Sequence, residues 1–509
     1  MMVEPSGWGT IVLVIGLISA AFLGGTTPQE IGFRAAVCVG ASLLLCLWIE
    51  VRHSPRTLCR TDLLALVALY YLIFFEFLSP GESLRVVLTA PEMSDGVRVS
   101  LLGLLGVALG RHLDVGRSIG RSIETMVHRE ITRPKLVVLF FLCLVIGYFH
   151  MLLAVNFDVA KMFHAMFTAG RFGMPWQRGQ LGNWKTLLNE LAGFLYLCPA
   201  IAGMMFARPK NFGVSNRIAV VIGLLLTVAQ GISTGTRFVM MGYVSAFVTV
   251  YILSLPGLNF AKLLRIVVPA SAVVLAITVL LLQFRNRGAS RSVAELSTGE
   301  TEVNTSNIEV DRNLSVIAKI VSSVPNLFPY IGSELYVVTL VRPIPRALWP
   351  GKPEGVSVSP ATVIEETQAT IASTFVGESY LSRGIVAVAI TGLVFGWLMA
   401  IWNRVGARLT CNGSVLVYTS GVFAFVLTMR SITEFFAILM PTLAAIVLVR
   451  FYGEKTVEGA PAEAANSNTL TAKARIARPY RRNLRPLRVR GRRPEIRHQT
   501  SEASVQKSE

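Results

Sequence analysis

Aspartate is scarce in this chain. In 509 residues it occurs only at Asp62, Asp95, Asp114, Asp158 and Asp311, and charged residues of all kinds make up 15%. No two of these aspartates form a DxD pair, the metal-binding signature of transferases that use nucleotide sugars. There is no glycine-rich P-loop to cradle a nucleotide and no HExxH to hold a catalytic zinc. The histidines are dispersed, and His150 and His164 are too isolated to argue a metal. The six cysteines, Cys38, Cys46, Cys59, Cys143, Cys198 and Cys411, include no CxxC. Neither a disulfide framework nor a zinc site is expected, which leaves them as small apolar packing residues.

What is abundant is apolar sequence: 53% hydrophobic residues and a mean hydropathy of +0.57. Continuous runs such as KLVVLFFLCLVIGYFHMLLAV are long enough to cross about 30 Å of hydrocarbon as helix. A membrane barrel would show short alternating segments instead. The fold class expected is an all-α polytopic integral membrane protein. The first run is preceded only by Glu4, with no basic stretch and no convincing cleavage site, and reads as a retained span. About twelve spans are expected, near 9–24, 31–50, 62–79, 97–111, 135–155, 186–206, 217–233, 238–255, 265–283, 384–402, 414–430 and 432–450. They divide the chain into 1–283 with nine spans, a large extracytoplasmic loop 284–383, three spans in 384–450, and a basic tail 451–509 expected to be disordered.

Basic residues recur on alternate loops, with Arg52, Arg56 and Arg60 in one and Arg111, Arg117, Arg121, Arg129, Arg133 and Lys135 in the next. By the positive-inside rule both termini are then cytoplasmic. Much of the net charge of +18 lies in the tail between Lys473 and Arg497. Beside a membrane span, such a tail is expected to meet anionic lipid. No nucleic-acid fold motif accompanies it.

The outer segments are unusual. Residues 156–185 carry Lys161, Arg171, Arg178 and Lys185 against Asp158 alone, which breaks the positive-inside pattern. The larger loop opens with the polar STGETEVNTSNIEVDRN. It continues as LSVIAKIVSSVPNLFPYIGSELYVVTL, expected to form amphipathic helices on the membrane surface. Arg237, in STGTRFVMMGY, and Arg430, in LTMRSITEFF, fall at outer turns between spans. A guanidinium offers a planar fork to phosphate oxygens, so several converging arginines would suit a pyrophosphate leaving group. Snorkelling and surface ion pairing are the alternative, and Arg430 with Glu434, spaced i, i+4, would simply pair. Glu76, at the outer end of the third span, is either a catalytic acid or, the reading preferred here, a packing partner for a cation. Tyr330, Tyr336, Trp349, Trp176 and Trp184 either stack on sugars or anchor the chain at the interface.

The layout and three short stretches carry a resemblance. They are the Gly235-x-Arg237 turn, the corner with Pro345, Arg346, Trp349, Pro350, Lys352 and Pro353, and GESYLSRG from Gly377 to Gly384. Together they resemble the Wzy-like oligosaccharide repeat-unit polymerases of O-antigen and exopolysaccharide assembly. The resemblance implies a bacterial inner-membrane glycosyltransferase that needs no metal or cofactor. Such an enzyme joins undecaprenyl-pyrophosphate-linked oligosaccharides at the extracytoplasmic face and releases undecaprenyl pyrophosphate. Its partners would be these lipid-linked glycans, membrane lipids, a chain-length regulator and a flippase. It implies Arg237, Arg346 and Lys352, then Arg171 and Arg430, at the pyrophosphate. Glu378 or Glu334 would be the base, and Trp349, Tyr380 and Arg383 would meet the glycan. Some members carry an arginine followed after ten residues by glycine in outer loops. Arg171 and Gly182 have that spacing, whereas Arg342 and Arg346 do not. An O-antigen ligase shares the donor and the layout, and a precursor transporter is a further alternative, though no internal repeat supports it.

Overall fold

The computed structural model describes residues 4–52, 54–78, 87–168, 174–176, 191–234, 237–284, 312–344, 348–353, 355–365 and 372–455, with backbone alone at 237–238, 274–275 and 277–284. They belong to one unit, Met1–Thr456. The helices are α1 (Gly7–Ala21), α2 (Pro28–Val51), α3 (Thr61–Phe74), α4 (Ala90–Gly110), α5 (Arg117–Val127), α6 (Arg133–Ala154), α7 (Val159–Thr168), α8 (Leu197–Ala207), α9 (Val214–Ser233), α10 (Arg237–Ser254) and α11 (Phe260–Phe284). They continue with α12 (Asn313–Ser323), α13 (Glu334–Val341), α14 (Pro360–Val363), α15 (Thr374–Val405), α16 (Asn412–Thr428) and α17 (Phe435–Tyr452). The only strands among the described residues, β1 (Arg129–Glu130) and β2 (Glu454–Lys455), form an antiparallel ribbon.

Local sequence sets several helix starts. Ser6 caps α1, Thr27 with Pro28 opens α2, and Thr89 with Glu92 forms a reciprocal capping box on α4. Among the described residues, six helical segments are long and apolar enough to cross a membrane: Pro28–Val51, Ala90–Gly110, Arg133–Ala154, Val214–Ser233, Thr374–Arg408 and Ile432–Tyr452. Large apolar side chains also stand exposed at helical spacing, as at Ile11, Ile15 and Ile18 on α1 and Ile218, Ile222 and Leu225 on α9. Such contiguous apolar faces suit hydrocarbon rather than water. This is an all-α protein of the membrane class.

Hairpins build the bundle. Gly16 of α1 lies against Ser42 of α2, and α3 returns with Tyr70 over Gly40, its hydroxyl donating to the Ala36 carbonyl at 3.0 Å. A second group forms where Leu195 covers Gly147, Phe140 covers Gly223, and Met240 with Tyr243 covers Gly231. α16 ties the groups together, with Phe423 on Gly242 and its Tyr418 carbonyl accepting from Trp402 Nε1 at 2.9 Å. The tightest crossing pairs α4 with α15, which run parallel. A Cβ on Gly106 would stand 2.9 Å from Gly392 Cα, so only glycine allows this backbone approach.

α15 is two helices. Arg383 (φ −151°, ψ 37°) and Gly384 (φ 64°, ψ −147°) interrupt it. Gly384 sits where side chains are disfavoured. Val376 and Val388 both approach Gly103 of α4, although twelve residues of straight helix would separate them by about 18 Å. The segment 374–382 therefore folds back along 385–405. Carbonyls freed by the break accept from other amides: Ile331 N donates to Leu381 O at 2.9 Å and Gly332 N to Ser382 O at 3.0 Å. Non-helical backbone among apolar helices persists only with such partners.

Two stretches read from sequence as parts of the large outer loop pack against the bundle. The first is α12. It is buried on most sides, with Ala318 on Gly96 of α4 and Ile317 on Gly377 of α15, where small residues admit a further helix. Residues 374–382, assigned from sequence to the outer loop, form a half-helix buried at every position.

At one end of the bundle four charges meet. Arg60 pairs with Glu50 (2.8 Å) and Asp62 (2.6 Å), and Arg111 pairs with Glu50 (3.0 Å) and Asp62 (3.1 Å). All four side chains are at most 1% exposed. Ser6 N also donates to Glu50 and Asn403 Nδ2 to Asp62, while Arg111 donates to Thr10, which contacts His112 at 2.6 Å. His112 lies just beyond α4, and burial together with the Arg111 charge lowers its pKa. Arg60 and Arg111, read from sequence as loop cations, are thus core residues joining α1–α4 to α15. Removing one member strands a buried partner. Arg60→Ala is expected to cost about 3–5 kcal/mol, against about 0.5 kcal/mol or less for Arg121→Ala on the exposed face of α5. Thermal unfolding in detergent checks this, and equal effects would contradict it.

Candidate functional site

A second group of polar side chains gathers at the opposite end. α16 ends at Thr428, and Ser431 is extended (φ −159°, ψ 130°) before a short 3-10 turn, Ile432–Glu434, leads into α17. The half-helix 374–382 packs beside this turn, with Phe375 N donating to Met429 O at 3.1 Å. Glu378 projects from it onto the turn. One carboxylate oxygen accepts from Ser431 Oγ at 2.5 Å and the other from Ile432 N at 2.6 Å. Glu378 is thereby a clamp on the segment that carries Arg430.

α13 reaches the same turn from another side, and Arg342, just past its end, forms an ion pair with Glu434. The i, i+4 pairing expected between Arg430 and Glu434 depends on helical backbone. Extended Ser431 breaks that geometry, and Glu434 turns to Arg342 instead. Lys352 closes the end of α13, its Nζ donating to the carbonyls of Arg342 (2.6 Å) and Ile344 (2.9 Å). Tyr336 OH meets Thr391 Oγ1 at 3.2 Å, fixing α13 against the second half of α15.

Arg237 opens α10, which runs antiparallel to α16. Gly242 packs on Phe423, so five residues earlier, about 7 Å along the axis, Arg237 begins the helix level with the end of α16. Tyr196 packs on Phe423 and Tyr243, at ring separations of 4.5 and 4.9 Å. Gln230 Oε1 accepts from Tyr243 OH at 2.7 Å. These contacts hold the end of α9 and the start of α10 beside the α16–α17 turn.

The remaining candidates lie on the flanks. Glu334 stands at the start of α13, where Ser357 N (2.7 Å) and Ser357 Oγ (2.5 Å) take its two oxygens. Tyr380 is buried beside Tyr330, at 6.3 Å between ring centroids, Arg383 is exposed at the break in α15, and Trp349 is exposed in the corner after α13. Arg171 and Arg346 lie outside the described residues. Glu76 is buried near the start of α12, where it accepts from Ser315 N at 3.1 Å and feels the charge of Arg312. Among the described residues no group of three or more His, Cys, Asp or Glu is arranged to hold a metal ion.

The structure thus brings Glu378, Arg430 and Lys352 to one corner and adds Arg342 and Glu434. From sequence, Glu434 stands only as an i, i+4 partner of Arg430, and Arg342 has no role at the pyrophosphate or glycan. Residues 236–437 match a family model described as a domain of unknown function (DUF8712), a stretch that runs from the residue before Arg237 to just past Glu434. No curated protein and no solved structure matches the chain.

The Glu378 clamp is testable. Replacing it by alanine removes a charge-assisted bond worth about 1.5–3 kcal/mol. The Ile432 amide should then exchange hydrogen about tenfold faster or more. Mass-spectrometric exchange over residues 429–434 measures this, and unchanged protection would show that the turn stands without Glu378.

Proposed function

We propose that this protein is a membrane glycosyltransferase that joins lipid-pyrophosphate-linked oligosaccharide repeat units into a surface polysaccharide, releasing undecaprenyl pyrophosphate. The observation that carries the reading is the corner itself. Arg342 reaches the turn that carries Arg430, and Lys352 closes the end of α13 beside Arg342. The turn is level with the start of α10 at Arg237, with Glu378 held as a clamp and Glu434 as the accompanying acid. Preorganised cations stabilise the charge that develops on a departing pyrophosphate, and such a donor needs little further activation. Arg430 and Arg237 are assigned to the pyrophosphate, as are Arg346, Lys352 and Arg171. Tyr380, Arg383 and Trp349 are assigned to the glycan.

In this reading α1–α4, α6, α8–α11 and α15–α17 make twelve crossings. The charge cluster lies at the cytoplasmic end with both termini, and the corner lies toward the extracytoplasmic side of a bacterial inner membrane. Transfer to a core lipid instead of a growing chain is the nearest variant, since the donor is the same. The broken α15 favours a second reading, transport of the lipid-linked precursor, because discontinuous helices line transporter sites. Against it, the amides of Ile331 and Gly332 occupy carbonyls freed by the break.

Deleting the gene in its host and profiling surface glycans tests the proposal. The deletion should leave single repeat units, and wild type should restore long chains. Arg430→Ala and Arg237→Ala should each lower chain synthesis by about 10²–10³-fold. Long polymer accumulating on the carrier would indicate transfer to a core lipid, and unchanged glycans would defeat the proposal.

A further inference from the structure

We infer that Glu434 is the carboxylate that accepts the proton of the attacking sugar hydroxyl, an inference that rests on the transferase reading above. The acids near the corner differ in what their oxygens already do. Both oxygens of Glu334 are taken by Ser357, and both of Glu378 by Ser431 and Ile432. Glu434 has one oxygen, Oε1, on Arg342, while Oε2 makes no hydrogen bond among the described residues. Its side chain is 35% exposed, whereas Glu378 is buried. A base must reach its proton directly or through one water, and of these three carboxylates only Glu434 combines an unengaged oxygen with access to the corner.

Its surroundings suit the role. Arg342 approaches from α13, Tyr196 from the start of α8, and Glu378 from the half-helix of α15, while Arg430 lies four residues earlier on the same turn. Arg342 is a positioning residue: it fixes one oxygen and leaves the other for the substrate. In the step, the acceptor hydroxyl oxygen bonds to the anomeric carbon of the donor and its proton passes to Glu434 Oε2. The bond between that carbon and the pyrophosphate oxygen breaks, and its electron pair leaves with undecaprenyl pyrophosphate. Glu434 then returns the proton to water.

The test uses the full chain in proteoliposomes with undecaprenyl-pyrophosphate-linked repeat units. Glu434→Gln, close in shape, should lower kcat by about 10²–10⁴-fold with little change in KM for the donor. Formate should restore part of the activity of Glu434→Ala, and Glu434→Asp should keep an acid limb in its pH–rate profile that Glu434→Gln loses. Full turnover by Glu434→Gln would overturn the inference while leaving the transferase reading intact. A loss expressed in KM alone, with no rescue by formate, would overturn it in favour of a structural role. A wild-type protein that binds the lipid-linked donor but forms no product would overturn the transferase reading and this inference with it.

Discussion

The buried quartet of Glu50, Arg60, Asp62 and Arg111 is the constraint on which much of the bundle depends. Two positive and two negative side chains cancel in formal charge, and each is paired within the set, with further bonds to Thr10, Ser6 and Asn403. Arg111 Nε alone of their nitrogens is buried without a hydrogen bond among the described residues. Buried pairs are seldom net stabilising relative to apolar packing, but they are unforgiving of wrong registers. A helix slipped by one turn would strand a charge in an apolar interior. The quartet therefore sets how α1–α4 meet α15. The parallel glycine contact between α4 and α15 extends that register toward the other end, where Gly103 meets both halves of α15.

The other end exploits the rigidity that follows. Because α15 is anchored along α4, its break at Arg383–Gly384 can reverse the chain and bring a short buried half-helix back into the bundle. That half-helix carries Glu378 onto the α16–α17 turn, and α13 brings Arg342 to the same place. Neither element is a continuous span. Each has its exposed backbone groups met by a neighbouring loop: Ile331 and Gly332 serve the half-helix, and Lys352 serves α13. Polar chemistry thus collects where the helical regularity fails.

Much of the architecture was legible in the sequence because apolar runs and their flanking charges report directly on helices of membrane type. Pro28–Val51, Arg133–Ala154 and Val214–Ser233 lie close to the expected segments at 31–50, 135–155 and 217–233. Burial was not legible. Arg60 and Arg111 follow the same loop pattern as exposed Arg121, and only three-dimensional pairing separates them. α12 looks amphipathic because Ser315, Asn313 and Ser323 are polar, yet these side chains are buried with it. In the candidate site, Arg430 and Glu378 stood out as charges near turns. The partnership of Arg342 with Glu434 spans 92 residues of sequence, which no local spacing could announce.

The central claim is that the corner around the 429–434 turn transfers a glycan rather than carrying it across the bilayer. The direct measurement is reconstitution of the purified protein into proteoliposomes, with the lipid-linked repeat unit supplied on the face that the corner occupies. The account predicts products of two and more repeat units on the carrier, with stoichiometric release of undecaprenyl pyrophosphate. Repeat units that stay single while appearing on the other leaflet would contradict it.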